Sequence, residues 1–317
     1  MILCVNLNAA IDKTITVADF TLNNIHRPQA VLALPGGKGV NVARVLKTLG
    51  EDVILTGWVG GHAGQFIEAG LQAEGIRTAF AHTVGESRTC LSILDPARNT
   101  LTEIYEKGDP IPEPAFQNLL GLFAELLPQT DLVTLSGSLP PGAPPDTYAQ
   151  LSAIANRQAV PVFLDSSGEA LCLGLQSGHI SLVKPNRHEL RSIIDGEPGS
   201  VSEIGKLAAQ INNRSGAAVV VSLGEEGLVA ARDGRVLYAR PPAIELVSAV
   251  GSGDATLAGL AVGHLRKLAL EETLSLAVAA GAANAMTVGA GRLSKSDLDR
   301  LRSLVRISDL SALRSHR

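Results

Sequence analysis

The sequence has 317 residues and a formal net charge of −4, so it carries no basic excess to neutralise a nucleic-acid backbone. Hydrophobic residues make up 45% but aromatics only 3%, which leaves Ala, Val, Leu and Ile to build the core and suits helices packed on a buried parallel sheet. The cysteines, Cys4, Cys90 and Cys172, form no C-x-x-C pair; this argues against zinc or a disulfide framework and for three buried small side chains in a reduced, cytoplasmic setting.

The first apolar stretch lacks a basic flank and is broken by Asn6, Asn8 and Asp12, so it reads as a strand and not as a signal peptide. No apolar run approaches the ~20 residues of a bilayer span, and no membrane partner is expected. Strand-length, mostly β-branched runs recur at 2–8, 53–60, 132–138, 160–166, 182–186 and 218–224. Amphipathic stretches lie between them, with Val42, Val45, Leu46 and Leu49 at helical spacing, then Leu257, Leu260, Ala261, Leu265 and Leu268. Strands alternating with helices predict βαβ units and a mostly parallel sheet.

Residues 13–34 and 88–107 break that rhythm as short strands without helices. In 100–106, Leu101, Glu103 and Tyr105 alternate onto one side. These two segments are expected to form a small β-sheet lid that excludes water, with an ordinary extension of the sheet as the alternative. The main body is then 1–12, 35–87 and 108–305. Asp233-Gly234 between two apolar runs predicts a hairpin and an antiparallel pair late in the sheet. Residues 306–317 are expected to form a C-terminal tail, polar and frayed from Ser308 to Arg317.

Four junctions carry chemistry. Gly36-Gly37-Lys38-Gly39-Val40-Asn41 places a glycine turn, a cation and an amide at a helix start, where unpaired N–H groups attract anions or sugar hydroxyls; it lacks P-loop spacing. Gly251-Ser252-Gly253-Asp254 opens an apolar helix. Its N–H groups can face a transferring phosphoryl group, and Asp254 can take a proton as general base or act as an ordinary cap. Lys184-Pro185-Asn186-Arg187-His188-Glu189 follows a strand; Asn186 and Glu189 can hold Mg²⁺ through water, form a capping pair, or do both. Ser222-Leu223-Gly224-Glu225-Glu226-Gly227 would let the backbone approach a nucleotide. Asn8, Asp12 and the 36–41 junction lie on or just after early strands, and Asp165, Lys184, Ser222 and Gly224 at the ends of later ones, the edge where open parallel sheets bind ligands, so the motifs can converge there.

With these motifs in this order, the sequence resembles the ribokinase-like carbohydrate kinases, the PfkB family, over roughly residues 1–305. It is most similar to the hexose-phosphate branch, through Asn8 to Asp12, the 36–44 segment, Ser-Gly-Ser-Leu-Pro-Pro-Gly at 136–142, Asp-Ser-Ser-Gly-Glu-Ala-Leu at 165–171, and Lys-Pro-Asn at 184–186. The resemblance implies a three-layer α/β/α fold with a mostly parallel central sheet and a β lid, and a homodimer formed through that lid. It implies transfer from ATP to a sugar phosphate, with fructose 1-phosphate favoured and tagatose 6-phosphate or fructose 6-phosphate as alternatives.

The same resemblance gives Asp254 as base and Gly251, Ser252 and Gly253 as the anion hole. Asp12, Gly37, Asn41 and Ser136 would hold the sugar, with Lys38, Arg27 and Arg88 on the phosphate it already carries. Lys184, Asn186, Ser222, Gly224, Gly227 and Gly253 would line the ATP site, and Glu189 with Asn186 would place Mg²⁺ indirectly. Ala9, His26 and Ala249 depart from the family pattern, and none removes a group the chemistry requires. Lys38 stands where the minor 6-phosphofructokinases tend to carry Gly, which leans toward the other two substrates. A non-catalytic sugar-phosphate sensor is the alternative from another class; the intact run 251–254 argues against it.

Overall fold

The computed structural model describes residues 1–194, 196 and 199–311. The chain opens with β1 (Ile2–Asn6), β2 (Ala10–Thr16), β3 (Ala30–Gly36) and α1 (Lys38–Thr48). It continues through β4 (Val53–Gly60), α2 (Gly61–Ala73), β5 (Arg77–Thr83), β6 (Arg88–Asp95), β7 (Thr100–Tyr105) and α3 (Glu113–Leu126). The middle holds β8 (Leu132–Ser136), α4 (Thr147–Asn156), β9 (Val162–Asp165), α5 (Gly168–Gln176), β10 (Leu182–Val183) and α6 (Arg187–Leu190). Then come α7 (Val201–Ser215), β11 (Ala218–Ser222), β12 (Leu228–Arg232), β13 (Arg235–Arg240), α8 (Ser252–Leu265), α9 (Leu270–Ala285), α10 (Lys295–Arg302) and β14 (Arg306–Asp309).

Ten strands form the main sheet in the order β14-β13-β12-β11-β10-β9-β8-β1-β4-β5. Pairing is parallel from β11 through β5 and antiparallel from β11 to β14. β1 shows why its sequence is a continuous apolar run. Ile2 and Cys4 enter the layer with α1, α8 and α9, while Leu3 and Val5 enter the layer with α3, α4 and α7, so both faces are buried. This is the expected three-layer α/β/α arrangement, with Ala, Val, Leu and Ile filling both layers.

α8 is buried from Asp254 to Gly263. A Cβ at Gly259 would stand 2.6 Å from Ala277 Cα, so small residues let α8 and α9 approach closely. Asp233 and Gly234 turn the β12–β13 hairpin with φ of 49° and 79°, the two positive values a type I′ turn requires.

β3, β2, β6 and β7 form a separate four-stranded sheet from the two segments expected to be strands without helices. β7 is the edge strand of this sheet and is exposed at every residue. The expected tail needs correction. Residues 306–309 form β14, which pairs with β13 through backbone bonds that polar side chains permit; the expected fraying of 312–317 falls outside the described residues. Cys4 and Cys90 are buried as expected, whereas Cys172 is partly exposed and donates to the Ser192 carbonyl. Among the described residues no helix is long and apolar enough to cross a membrane.

Candidate active site

β1, β8, β9, β10 and β11 all end at one edge of the sheet, and the four junctions meet there, the fourth through the Ser222–Asn186 bridge. The head of α8 is the centre. Gly251 caps it at φ 83°, a left-handed conformation that only glycine adopts readily. A Cβ there would also stand 2.8 Å from Gly291 N. Asn284 fixes the turn by donating to the Val250 carbonyl at 2.9 Å and to Ser252 Oγ at 3.4 Å.

Asp254 sits in the first turn of α8, 5% exposed, and accepts from Asn41 Nδ2 at 2.8 Å. Burial, aided by the negative charge of Asp165, pushes its pKa up to about 7 against the pull of Lys38, Asn41 and Lys184. A carboxyl group poised there can accept a proton from a substrate hydroxyl near neutral pH. Arg44 orients Asn41: its Nη1 donates to Asn41 Oδ1 at 3.3 Å, while Nε and Nη2 clamp Glu74 at 2.6 and 2.8 Å. With its oxygen held by Arg44, the Asn41 amide presents its NH₂ to Asp254.

Asp165, at the end of β9, is the buried counter-ion of the site. Lys184 Nζ lies 2.9 Å from its Oδ2 and Lys38 Nζ 3.1 Å from its Oδ1. Burial alone would raise the Asp165 pKa; the two ammoniums outweigh it and hold the carboxyl below its usual range. Lys38 also reaches Glu189 Oε1 at 3.5 Å. Burial would lower its pKa, but Asp165, Glu189 and Asp254 hold it above the lysine range.

Asn186 and Glu189 form the capping box outright. The Asn186 side chain accepts from Glu189 N, and Glu189 Oε2 accepts from Asn186 N, each at 2.8 Å. That leaves Glu189 Oε1 facing Lys38. Ser222 bridges to Asn186 across the strand ends. Gly224 is exposed at the head of a short 3₁₀ turn, and Gly227 closes that turn against the Ala239 carbonyl.

On the other side of Asn41, Asp12 packs its carboxylate against Gly36, where any Cβ would collide. Burial raises its pKa, opposed by Arg44, Arg88 and the Gly37 N–H. Arg88 therefore stands beside Asp12, at the root of the small sheet; its Nε is buried without a partner among the described residues. Arg27 is exposed on the β2–β3 loop and joins none of these contacts.

Ser136, expected to hold the sugar, is fully buried, with no partner for its hydroxyl among the described residues. The hydroxyl two residues on, Ser138, accepts from Asn8 Nδ2 at 3.2 Å. Sequence reasoning also missed Asn6, whose side chain accepts from Gly39 N and donates to the Gly36 carbonyl, along with Arg44, Asp165 and Asn284. Arg44 and Asp165 lay inside quoted motifs; no local signal marked Asn284.

Comparison with known proteins identifies the family. Residues 5–297 match the profile of the pfkB family carbohydrate kinases. A tagatose-6-phosphate kinase of Staphylococcus epidermidis is 35% identical over 303 residues, covering 95% of this chain and 97% of that one. The tetrameric inhibited form of phosphofructokinase-2 from Escherichia coli superposes with a TM-score of 0.89 at 29% identity, over 96% of this chain and 98% of the other. A possible 1-phosphofructokinase from Thermotoga maritima gives a TM-score of 0.85 at 25% identity, over 98% and 99%.

Proposed function

The chain belongs to the pfkB family of carbohydrate kinases, and from that membership we propose that it transfers the γ-phosphoryl group of ATP to a free hydroxyl of a phosphorylated ketohexose. The observation that carries this reading is Asp254, buried at the head of α8 with a pKa near 7 and a bond to Asn41. As the hydroxyl oxygen attacks phosphorus, its proton passes to Asp254. The N–H groups at 251–253 and the Lys184 ammonium face the charge that develops on the phosphoryl oxygens. Asp12, Gly37 and Asn41 hold sugar hydroxyls. Arg88, with Arg27 from the β2–β3 loop, meets the phosphate the sugar already carries. Lys184, Asn186, Ser222, Gly224, Gly227 and Gly253 line the nucleotide side.

The residues fit a Mg²⁺ ion carried in on the ATP phosphates. Among the described residues no trio of His, Cys, Asp or Glu could cage a metal, and Mg²⁺ commonly takes one or two carboxylates plus phosphate oxygens and water. Glu189 Oε1 is the carboxylate oxygen available for it, directly or through water. When bound, the ion would neutralise phosphate charge that this site, with Lys38 and Lys184 set against Asp165, Glu189 and Asp254, does not neutralise alone.

Fructose 1-phosphate, giving fructose 1,6-bisphosphate, is the first substrate proposed. Tagatose 6-phosphate is the second reading, favoured by the 35% identical relative. ADP release with Mg-ATP across fructose 1-phosphate, tagatose 6-phosphate, fructose 6-phosphate and fructose, compared by kcat/KM, decides between them. A lead for a 6-phosphate corrects the substrate, preference for bare fructose removes the role of Arg88, and silence on all four returns the sensor reading.

The small sheet is proposed to cover the sugar and to pair with a second copy. Cross-strand register puts Leu32, Leu94, Leu101 and Tyr105 on the same face as Asp12, and these four side chains are 38–56% exposed. Thr14, Ser92 and Glu103 lie between them in the register, so the surface offered to a second copy is mixed, with Leu94 and Leu101 as its paired apolar centre. Leu101→Asp is expected to shift the sedimentation coefficient from dimer to monomer; a wild-type monomer at micromolar concentration would remove the proposal.

A further inference from the structure

Lys38 does not stand where a clamp for the substrate's own phosphate would be. Its ammonium lies 3.1 Å from Asp165 Oδ1 and 3.5 Å from Glu189 Oε1. The second oxygen of Asp165 takes Lys184 at 2.9 Å, and a Cβ at Gly253 would be 3.5 Å from Lys184 Nζ. The two lysines thus bracket one buried carboxylate beside the N–H groups that open α8. Arg88 belongs to a different neighbourhood, with Asp12, Cys90 and the Glu106 carbonyl.

Resting on the kinase reading above, we propose that Lys38 serves the phosphoryl group in transit and not the phosphate with which the substrate arrives. The argument is one of charge. The cluster holds three carboxylates, Asp165, Glu189 and Asp254, against two ammoniums, Lys38 and Lys184. If Lys38 left to clamp a distant phosphate, one ammonium would face three carboxylates where a polyphosphate must bind, and like charges at short range repel strongly in a buried site. If Lys38 stays, it adds a cation next to oxygens that gain charge in the transition state.

Its side chain is 39% exposed, so the flexible stem can pivot from Glu189 toward an entering phosphate without uncovering Asp165. Lys38 also acts on Asp254, lowering the pKa that burial and Asp165 raise. Asn41 and Lys184 act in the same direction. One residue thereby supports both the base and the phosphoryl group in transit, and discrimination between phosphorylated and bare sugar is left to Arg88 with Arg27.

The test is the full-length protein as wild type, K38M and K38R, with Mg-ATP and the best sugar phosphate of the panel. K38M should lose about 10²–10³ in kcat, the weight of one charge-stabilising group. KM for the sugar phosphate should stay within about threefold, and the preference over unphosphorylated sugar should be kept. The acid limb of kcat/KM should move to higher pH, because a cation beside Asp254 is gone. K38R should recover most of kcat, which separates lost charge from lost packing and covers a poorly folded K38M.

Calorimetric binding of the sugar phosphate alone should give the same Kd for wild type and K38M. A Kd or KM raised about tenfold or more with kcat held, and lost preference over bare sugar, would overturn the proposal and return Lys38 to the substrate's phosphate. A wild type silent toward every sugar refutes the kinase reading instead. In that case equal Kd values still place Lys38 off the resident phosphate, and a raised Kd still overturns the proposal.

Discussion

Asp254→Asn is expected to lower kcat by ~10²–10⁴, the usual weight of a positioned general base, with little change in the Kd of either substrate. The amide keeps the shape and can still accept from Asn41, so the loss reports proton transfer and not collapse of the site. ADP release at saturating substrates measures it, and near-normal turnover would remove Asp254 from the mechanism. Wild-type kcat/KM should rise through an acid limb near the Asp254 pKa of about 7, since the protonated carboxyl cannot accept the hydroxyl proton.

The same shift predicts a stability effect of opposite sign. Asp254 keeps its proton in the fold up to about pH 7, whereas an unfolded chain releases it near ~3.9. Between those values the unfolded state loses protons that the folded state retains, so stability falls as pH rises. Above the folded pKa the full penalty of a buried carboxylate remains. Asp254→Asn carries no such titration, so its Tm should match wild type at pH 4 and exceed it at pH 8. The residue that supplies the chemistry is one the fold would be more stable without.

The strands of the main sheet were legible because each buried strand must be apolar on both faces, and β1, β4, β8 and β11 are. The glycine-rich junctions were legible because backbone approach to an anion leaves a local mark. β5 and β14 were not. β5 is Arg-Thr-Ala-Phe-Ala-His-Thr, with few β-branched residues, and β14 is Arg-Ile-Ser-Asp; their pairing is decided by neighbours far along the chain.

The site divides in the same way. Asp254 and Lys184 stood in motifs, but the roles of Asp165 and Arg44 arise from contacts made across the fold, to Lys38 and Lys184 for the first and to Glu74 and Asn41 for the second. Ser136 and Ser138 show the limit of motif reading. The last residue of β8, Ser136, is buried with its hydroxyl unpaired among the described residues, while Ser138 beyond the strand bonds Asn8.

Asp165→Ala is expected to be among the most destabilising single changes in the chain. Lys184 is 3% exposed, and without Asp165 it loses the carboxylate 2.9 Å away and keeps only the weaker pull of Asp254; breaking such a buried pair destabilises by about 3–5 kcal/mol. Urea unfolding at pH 7 should show this as a lower midpoint. Because the fold depresses the Asp165 pKa, the contribution is complete above the unfolded value near ~3.9 and fades as pH falls below it. The gap between variant and wild type should therefore close in acid.

Asp165→Leu combined with Lys184→Met removes both buried charges and should recover much of the lost stability, since hydrophobic replacement of a buried pair is often neutral or better. It should not recover turnover, because the nucleotide-side cation is gone. Asp165→Asn supplies the last check. Loss of a negative charge beside Asp254 should lower the Asp254 pKa, moving the acid limb of kcat/KM to lower pH. An unmoved limb, or a double variant as unstable as Asp165→Ala, would mean that Asp165 is not the counter-ion on which the lysines and the base depend.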